Sequence, residues 1–299
     1  MAYHVPVLLA ESIEGLNIKP NGTYVDLTFG GGGHSRLIME KLNRQGRLFA
    51  FDQDEDALAN AIDDKRFMLI RSNFKYFRNF LRYHGVEEVD GILADLGVSS
   101  HHFDSPERGF SFRFEGPLDM RMNQRSKISA KVVVNTYSAD ELSNVLSLYG
   151  ELPNARRVAT TICKQREQKQ IETVEQLAEL LKPMFPANAQ NKMLAQVFQA
   201  IRIEVNREME VLKGMLLAAT KSLKKDGRLV VISYHSLEDR LVKNFMRSGN
   251  FEGDVVKDFY GNVSSPYEQL NRKVIVPSDE EIKINSRARS AKLRIGKKL

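Results

Sequence analysis

Apolar and polar positions follow two different periods along the first hundred residues. Four short, nearly continuous apolar runs are typical of strands buried on both faces, and amphipathic stretches typical of helices separate them. The predicted strands are 24–27, 47–52, 66–72 and 89–97, and the predicted helices are 35–43, 54–63 and 74–84. Strands that alternate with helices indicate an α/β fold built on a doubly wound sheet.

Both periods stop after the fourth predicted strand. The segment 101–123, "HHFDSPERGFSFRFEGPLDMRMN", shows neither period and is predicted to be a long ordered loop. Helical patterns then run from 138 to 181, opening on a capping box of Ser138 and Glu141, and from 192 to 225. This middle part of the chain is therefore predicted to be mainly helical.

A strand pattern returns at 226–236, "DGRLVVISYHS", and a helix is predicted over 237–246. The sheet pattern is thus interrupted and later resumed. We expect an α/β core made of residues 1–104 and 209–299, with residues 105–208 as a mainly helical insert that recognises the substrate.

Composition places the chain in a broad class. The 299 residues are 42% hydrophobic, which is enough for one large core or two smaller ones. A single cysteine, Cys163, excludes an internal disulfide and is expected to serve packing. No apolar run approaches the roughly 18 residues of a membrane span, and the first residues do not resemble an export signal. We expect a cytoplasmic protein that does not enter a membrane.

The distribution of charge along the chain is more informative than the net charge. The net charge is +6, and the segment 285–298, "NSRARSAKLRIGKK", carries six basic residues and no acid. Such a segment suits either contact with phosphates, here through Arg287 and Arg289, or a solvated terminus. Charge alone does not decide between the two.

Four consecutive glycines stand in "DLTFGGGGHS", residues 26–35, between a predicted strand and a predicted helix. The dinucleotide fingerprint G-x-G-x-x-G fails here, because its last glycine falls on Ser35 or Arg36. The spacing of Asp26, Gly30 and Gly32 instead resembles the first motif of class I S-adenosylmethionine-dependent methyltransferases. Close backbone approach of a cofactor explains the glycines.

Two further aspartates end predicted strands. Asp52 follows the glycine turn by about twenty residues, where a carboxylate accepts hydrogen bonds from ribose hydroxyls. Asp95 ends the fourth strand, and the carboxyl ends of the strands in such sheets border one crevice. The alternatives are a helix N-cap for Asp52 and a carboxylate that accepts backbone amides for Asp95.

Seven ordered segments carry a more specific signal. They are "HVPVLLAES", "DLTFGGGGHS", "DLGVSS", "RGFSFRFEGPLDMRM", "VFQAIRIEVN", "ISYHSLEDR" and "NSRARSAKLR". Together they resemble the bacterial 16S rRNA cytosine-N4 methyltransferases, the RsmH or MraW family, and they cover nearly the whole chain.

The resemblance implies methyl transfer from S-adenosylmethionine to the exocyclic N4 of a cytidine in the decoding region of 16S rRNA, within the small subunit or its precursor. It also implies a class I methyltransferase fold with a helical insert. By position, the cofactor contacts implied with Asp26 are Gly31, Gly32, Gly33, His34, Asp52, Phe74, Asp95 and His102. At His102 this sequence departs from the glutamine of many members, although either side chain can form hydrogen bonds.

Asp95 is the candidate catalytic residue. The lone pair of cytosine N4 is delocalised into the ring, so the site has to hold the amine in line with the methyl group and accept its hydrogen bonds. Asp95 suits a polarising acceptor or a proton relay, or else serves the cofactor. Many amino-methyltransferases continue with Pro-Pro-aromatic at this point, whereas this chain has "LGVSS".

The loop after the fourth strand and the junction after the fifth supply candidate substrate contacts. Interleaved aromatic and basic side chains suit a splayed-out base beside phosphates, and the alternative is a hydrophobic lid. The candidates are Arg108, Phe110, Phe112, Arg113, Asp119, Arg121, His235 and Ser236. We expect Ser236 to cap the following helix with Asp239 at the third position.

Other chemistry is less well supported by the sequence. A Ser-His hydrolase does not fit, because His235 and Ser236 are adjacent and lie outside a G-x-S-x-G elbow. His101, His102 and Asp104 lack a second ligand cluster, so no metal site is predicted. Beside the RNA methyltransferase, an idle RNA-binding or ribosome-assembly module and a nicotinamide-dependent oxidoreductase stay open, as does self-association into a homodimer.

Overall fold

The computed structural model describes residues 6–97, 105–257, 259, 265–271 and 273–299. The chain forms two compact units, Met1–Gly97 with Met209–Leu299 and Val98–Glu208. The chain thus divides after Gly97 and after Glu208, where the sequence analysis placed the divisions after 104 and 208. His102 and its neighbours His101 and Asp104 lie outside the described residues.

The first unit is built on a sheet that has seven strands in the described part of the chain, in the order β3-β2-β1-β4-β5-β7-β6. Strands β1 to β5 are parallel to one another. Strand β7 pairs antiparallel with β5, and β6 pairs antiparallel with β7. The strands are β1 Thr23–Asp26, β2 Arg47–Asp52, β3 Phe67–Arg71, β4 Val89–Asp95, β5 Leu223–Ser233, β6 Tyr267–Gln269 and β7 Lys292–Lys298. This order is that of a doubly wound sheet with an antiparallel edge.

The helices of the described residues are numbered in chain order across both units. They are α1 Leu9–Leu16, α2 Gly33–Lys41, α3 Phe77–Tyr83, α4 Ala130–Thr136, α5 Ala139–Gly150, α6 Ala155–Gln168, α7 Val174–Leu181, α8 Gln190–Asn206, α9 Glu208–Ser222, α10 Ser236–Ser248 and α11 Asp279–Ile284. Helices α4 to α8 lie in the second unit, where they pack around a core of their own. The predicted capping box of Ser138 and Glu141 opens α5 and is confirmed.

The helix predicted over 54–63 is wrong. Only one short 3₁₀ helix, Asp56–Asn60, forms there. The Asp54 amide donates to Asp52 Oδ1 at 2.9 Å and the Asp56 amide donates to Asp54 Oδ1 at 3.2 Å. These local carboxylate bonds compete with the backbone bonds of a helix.

The single long helix predicted to end near Lys225 is two helices. Arg207 takes a left-handed conformation with φ of 51° and ends α8 before α9 begins. The preceding Asn206 side chain donates to the Met120 carbonyl and accepts from the Met122 amide, both at 2.8 Å. The helix therefore stops where its last residue fastens the insert loop.

The basic C-terminal segment is only partly a solvated tail. Residues Lys292–Lys298 form β7, whose Leu293 and Ile295 are buried in the core of the first unit. Between them Arg294 is 8% exposed and donates to both carboxylate oxygens of Asp239 in α10 at 2.6 and 3.1 Å. The alternation of apolar and basic residues in "KLRIGKK" is that of a strand.

The segment before α1 is held by the far end of the chain. Leu8 precedes α1 in a left-handed conformation, and its amide donates to Glu281 Oε1 of α11 at 2.8 Å. The Glu281 carboxylate thus stabilises the start of α1, where the N-cap residue Leu8 makes no side-chain hydrogen bond. Among the helices of the described residues, none combines the length and apolarity needed to cross a membrane.

Candidate cofactor and active site at the strand ends

The glycine turn joins β1 to α2. Gly30 and Gly32 have φ of 51° and 76°, which favours glycine. A Cβ at Gly32 would lie 2.8 Å from the Phe29 ring, and one at Gly33 would lie 2.1 Å from Pro6 Cγ. A Cβ at Gly30 would have no heavy atom within 4 Å. Packing therefore requires Gly32 and Gly33, whereas Gly30 faces open space that a ligand can enter.

Asp26 stabilises this turn through hydrogen bonds. Its carboxylate is 1% exposed and accepts from the Thr28 amide at 3.1 Å and from Ser35 Oγ at 2.7 Å. Burial raises the pKa of Asp26 to about 6, hydrogen bonds from Ser35 and Thr28 oppose the rise, and the charge of Asp52 adds to it. In this structure the predicted cofactor residue Asp26 shapes the turn that would hold the cofactor.

Asp52 links the end of β2 to the same turn. Its Oδ2 accepts from the Gly30 amide at 2.8 Å, and its Oδ1 accepts from the Asp54 amide. A carboxylate at this position is the type of group that accepts hydrogen bonds from ribose hydroxyls. Phe74 follows β3 at the start of a 3₁₀ helix and packs on the core of the first unit.

His34 lies in the first turn of α2 and is buried. Burial lowers the pKa of His34 to about 4, against the opposing effect of the Val7 backbone, so the imidazole is neutral at pH 7. Its Nε2 is buried and has no hydrogen-bond partner among the described residues. A buried polar atom of this kind beside a ligand turn fits a polar group of a bound molecule.

Asp95 ends β4 at the same edge of the sheet. Its amide donates to Thr28 Oγ1 at 2.7 Å, and its Oδ1 accepts from Tyr234 Oη at 2.8 Å. Burial raises the pKa of Asp95 to about 7, the Tyr234 hydrogen bond opposes the rise, and the charges of Asp26 and Glu238 add to it. Both protonation states of Asp95 are therefore populated near neutral pH, as general acid-base chemistry requires.

These features fit a nucleoside-like cation. The open face of Gly30, the His34 Nε2 that has no partner among the described residues, and the carboxylate of Asp52 provide groups for backbone approach and hydrogen bonds. The negative charges of Asp26 and Glu238 raise the pKa of Asp95, and acidic groups gathered in this way attract a positive ligand.

Sequence reasoning did not select Tyr234, Glu238 or Thr28 as site residues. Glu238 is 3% exposed, and its Oε2 accepts from the Tyr234 amide at 2.9 Å. The motif "ISYHSLEDR" contained both residues, and Tyr234 is the first residue after β5, where strand ends meet the crevice. Thr28 and Tyr234 both bind Asp95, which lies far from each of them along the chain, so no local pattern reveals these two contacts.

The expected cap of α10 is wrong by one residue. His235 is the N-cap, its Nδ1 accepts from the Glu238 amide at 3.4 Å, and Glu238 is the third helical residue. Ser236 is already inside the helix and exposed, and Asp239 binds Arg294. The helix begins one residue earlier because β5 ends at Ser233 and leaves only Tyr234 and His235 as the junction. Substrate contact by His235 and Ser236 stays a prediction.

In the second unit, several of the predicted substrate residues are buried within the insert. Arg108 is 7% exposed and donates from Nη2 to the Arg121 carbonyl at 3.1 Å. Phe110 belongs to the buried core, and the ring centroid of Phe112 lies 5.5 Å from that of Phe198. These side chains support the loop that carries them.

Asp119 and Arg121 form a bidentate pair, with Nε to Oδ1 at 2.9 Å and Nη2 to Oδ2 at 2.6 Å. Arg121 Nη1 also donates to the carbonyls of Gln124 and Ser126. Arg113, in contrast, is exposed. Arg113 is therefore the predicted loop arginine whose position suits a phosphate contact directly.

Arg287 and Arg289 lie in the 3₁₀ helix Ser286–Ser290, which follows α11 in the first unit. Both are exposed, and the buried Asn285 side chain caps this helix by accepting from the Arg287 amide at 3.1 Å. Two basic side chains on an ordered turn suit phosphate contact better than a disordered tail does, because less conformational freedom is lost on binding.

Comparison with known proteins decides the family. The family model of the MraW methylases matches residues 1–299. The chain belongs to the MraW methylase family. Curated relatives named ribosomal RNA small subunit methyltransferase H include that of Bacteroides fragilis, 60% identical over 99% of this chain and 97% of the relative. That of Phocaeicola vulgatus is 61% identical over 99% and 97%, and that of Flavobacterium johnsoniae is 58% identical over 100% and 99%.

Membership of the MraW methylase family confirms the resemblance drawn from the seven segments. The observed sheet, with helices and an antiparallel edge, confirms the class I methyltransferase fold. The chain is thus a methyltransferase. Neither the nicotinamide-dependent oxidoreductase nor the idle RNA-binding module finds support in this family or these relatives.

Proposed function

We propose that this chain transfers a methyl group from S-adenosylmethionine to the exocyclic N4 of a cytidine in the decoding region of 16S rRNA. The family and the names of its relatives support a methyltransferase of small-subunit ribosomal RNA. The observation that carries the chemistry is the partly buried Asp95, held beside the glycine turn with a pKa of about 7. A carboxylate in this state suits a weakly nucleophilic amine.

Residues of the first unit would hold the cofactor. The backbone at Gly30 to Gly33, the neutral His34, Asp52 and Phe74 border the turn at the strand ends. S-adenosylmethionine supplies an electrophilic methyl group on a positively charged sulfur. The neighbouring carboxylates, Asp95 foremost, favour this charge over a neutral ligand.

Asp95 acts on the amine of the base. Its Tyr234-bound Oδ1 leaves Oδ2 to accept a hydrogen bond from N4–H, which draws electron density toward the nitrogen and orients its lone pair. As the N–C bond forms, the bond between the methyl carbon and sulfur breaks and S-adenosylhomocysteine leaves; the amine then carries an extra proton, and the carboxylate accepts it. The ionised form of Asp95 is the active one, so the rate rises with pH through the pKa of this group.

RNA contacts belong to exposed basic residues. Arg113 in the second unit and Arg287 and Arg289 in the first unit are exposed and suited to phosphates. Arg108, Asp119 and Arg121 support the insert loop through buried or bidentate contacts. Recognition of a splayed-out base then depends on a loop whose shape is fixed before binding.

The test is incubation with methyl-labelled S-adenosylmethionine and small ribosomal subunits that lack their modifications, followed by digestion and identification of the labelled nucleoside. We expect label in N4-methylcytidine. Label in another nucleoside would show that N4 of cytidine is not the acceptor atom. Absence of label despite S-adenosylhomocysteine binding would refute the proposed substrate. Parallel reactions with naked 16S rRNA distinguish free RNA from the subunit as substrate.

A further inference from the structure

Tyr234 forms a hydrogen bond with Asp95, the candidate catalytic residue. Its side chain lies just past β5 and donates from Oη to Asp95 Oδ1 at 2.8 Å, across 139 positions of sequence. Strands β4 and β5 are parallel neighbours, with Asp95 opposite Ile232. The contact is therefore built by the sheet itself, at the point where its two central strands end.

The tyrosine ring is fixed on several sides. Its amide donates to the buried Glu238, and its ring packs against the apolar cluster of the first unit. Gly97, with φ of 101°, approaches so closely that a Cβ there would lie 3.2 Å from Tyr234 Cδ2. A ring held in this way leaves its hydroxyl little freedom to point anywhere but at Asp95.

The hydroxyl is a permanent donor. Burial, together with the negative charges of Asp95, Glu238 and Glu281, raises the pKa of Tyr234 far above its ordinary value. The phenol stays protonated over the whole pH range in which Asp95 titrates. Each time Asp95 ionises, Oδ1 thus has a partner, while Oδ2 accepts no hydrogen bond from the described residues.

We propose that Tyr234 is the positioning residue of the active site: its hydroxyl occupies one oxygen of Asp95, stabilises the ionised carboxylate and presents the other oxygen to the substrate amine. This inference rests on the proposed role of Asp95. Among the described residues, the titratable groups that act on Asp95 are Asp26 from β1, Glu238 from α10 and Tyr234 itself. The two carboxylates disfavour ionisation of Asp95, and among these groups Tyr234 alone favours it.

The test compares Tyr234→Phe with the wild-type protein in two measurements. The first is the titration of the Asp95 side-chain carboxyl carbon by NMR, assigned with Asp95→Asn. The second is the pH profile of methyl transfer to small subunits. Loss of a hydrogen bond to the ionised form should raise the pKa of Asp95 by about one pH unit. The acid limb of the rate should move by the same amount, an about tenfold loss below the limb and little loss at pH 9.

Tyr267→Phe is the matched control. Tyr267 is also buried in the first unit, and its hydroxyl lies 3.0 Å from Thr220 Oγ1, away from Asp95. This variant removes a buried tyrosine hydroxyl without changing the Asp95 carboxylate. We expect both the titration and the pH profile of Tyr267→Phe to match those of the wild type.

The outcomes separate this inference from the proposed function. An unchanged Asp95 titration in Tyr234→Phe overturns the positioning role. A shifted titration with an unchanged rate profile also overturns it and removes Asp95 from the reaction. A wild-type profile without an acid limb refutes the catalytic role of Asp95 by itself. If Tyr234→Phe does not fold, 3-fluorotyrosine at 234 serves, since a stronger donor should move both curves to lower pH.

Discussion

At the residue scale, the site concentrates negative charge where burial opposes it. Burial raises the pKa of Asp26 to about 6 and that of Asp95 to about 7, and the charges of Asp26 and Glu238 add to the rise at Asp95. Their ionisation costs free energy in the folded protein that it does not cost in the unfolded chain. A binding site for a cation is thereby prepared at the expense of stability.

Asp95→Asn should make the protein more stable at alkaline pH while abolishing methyl transfer. Between the ordinary pKa of 3.8 and the folded pKa of about 7, the native wild type binds more protons than the unfolded chain. Its free energy of unfolding therefore falls as pH rises through this window. The asparagine cannot titrate, so we expect a gain on the order of 4 kcal/mol at pH 8, from about three pH units at about 1.4 kcal/mol each, that vanishes near pH 4.

Urea denaturation of both proteins at pH 4.5, 6 and 8 measures this gain. Retained S-adenosylhomocysteine binding in Asp95→Asn would show that the lost activity is catalytic. A difference in stability that does not change with pH would contradict the raised pKa.

Gly30 and Gly85 offer a matched pair for the cofactor turn. Both have positive φ, 51° and 72°, and a Cβ at either would meet no heavy atom within 4 Å. Alanine at each position should cost about 1–2 kcal/mol of stability through backbone strain. Calorimetric titration should show an affinity for S-adenosylhomocysteine lower by about tenfold in Gly30→Ala alone. Equal affinities of the two variants would place the cofactor elsewhere.

What the sequence predicts at this scale depends on distance along the chain. The aspartates Asp26, Asp52 and Asp95 were predictable because each ends a strand with a recognisable apolar run. The hydroxyls of Thr28, which accepts from the Asp95 amide, and of Tyr234, which donates to the Asp95 carboxylate, were not, because their partner Asp95 is fixed only by the order of strands in the sheet. A local pattern holds no information on which strand end becomes a neighbour.

At the element scale, the insert loop separates support from recognition. Arg121 holds Asp119 and two carbonyls of the loop, whereas Arg113 is exposed. The sequence treats the two arginines alike, since both stand in one mixed aromatic and basic stretch. The two arginines differ in burial and in hydrogen-bond partners, which only the folded loop defines, and we therefore expect different roles for them.

Arg113→Gln and Arg121→Gln should therefore fail in different measurements. We expect Arg113→Gln to keep its stability and to weaken RNA binding, with the slope of log affinity against log salt reduced by about one. Arg121→Gln should lower the stability of the insert by about 2 kcal/mol, because it loses several hydrogen bonds at once. Filter binding across a salt series and urea denaturation measure the two effects. An identical salt slope in Arg113→Gln would exclude a phosphate contact there.

Strand β7 shows how charge can mislead a prediction. Six basic residues in a short stretch indicate a solvated tail or phosphate contacts, yet the alternate apolar residues Leu293 and Ile295 place the segment in the sheet. Arg294 follows because Asp239 neutralises it within the fold. The two-residue period of the apolar side chains predicts this structure better than the charge does. Burial of the apolar side chains stabilises the strand, and long basic side chains can still reach solvent from it.

The buried pair should be worth more than an exposed pair on the same strand. Arg294→Ala leaves the Asp239 carboxylate largely buried, with Lys292 3.6 Å away, and should destabilise the first unit by about 3 kcal/mol. Lys297→Ala removes the partner of the exposed Glu268 and should cost less than about 1 kcal/mol. Urea denaturation of the two variants tests the ranking, and equal losses would refute it.

At the scale of the whole molecule, two separate cores stabilise one chain. One hydrophobic cluster lies entirely within the second unit, and the others lie within the first. The groups that fit the cofactor, the glycine turn, His34 and Asp52, all belong to the first unit. Ligand binding should therefore act on one core and leave the other unchanged.

S-adenosylhomocysteine at a hundredfold excess over its Kd should stabilise the first unit by about 2.7 kcal/mol. The second unit should gain no such protection. Hydrogen exchange with mass spectrometry along a urea series resolves peptides of the two units. Equal protection of both units would show that they unfold as one, in which case Arg294→Ala would lower the protection of both as well.

The bond between the Leu8 amide and Glu281 has a consequence for biosynthesis. Ribosomes make the chain from its amino end, so α1 waits for its capping carboxylate until 273 more residues have been added. The helical insert, in contrast, is complete before β5 and β7 exist. The domain that interrupts the fold can thus be the first to mature on the ribosome, and the hydrogen bond at the start of α1 forms only when α11 has emerged.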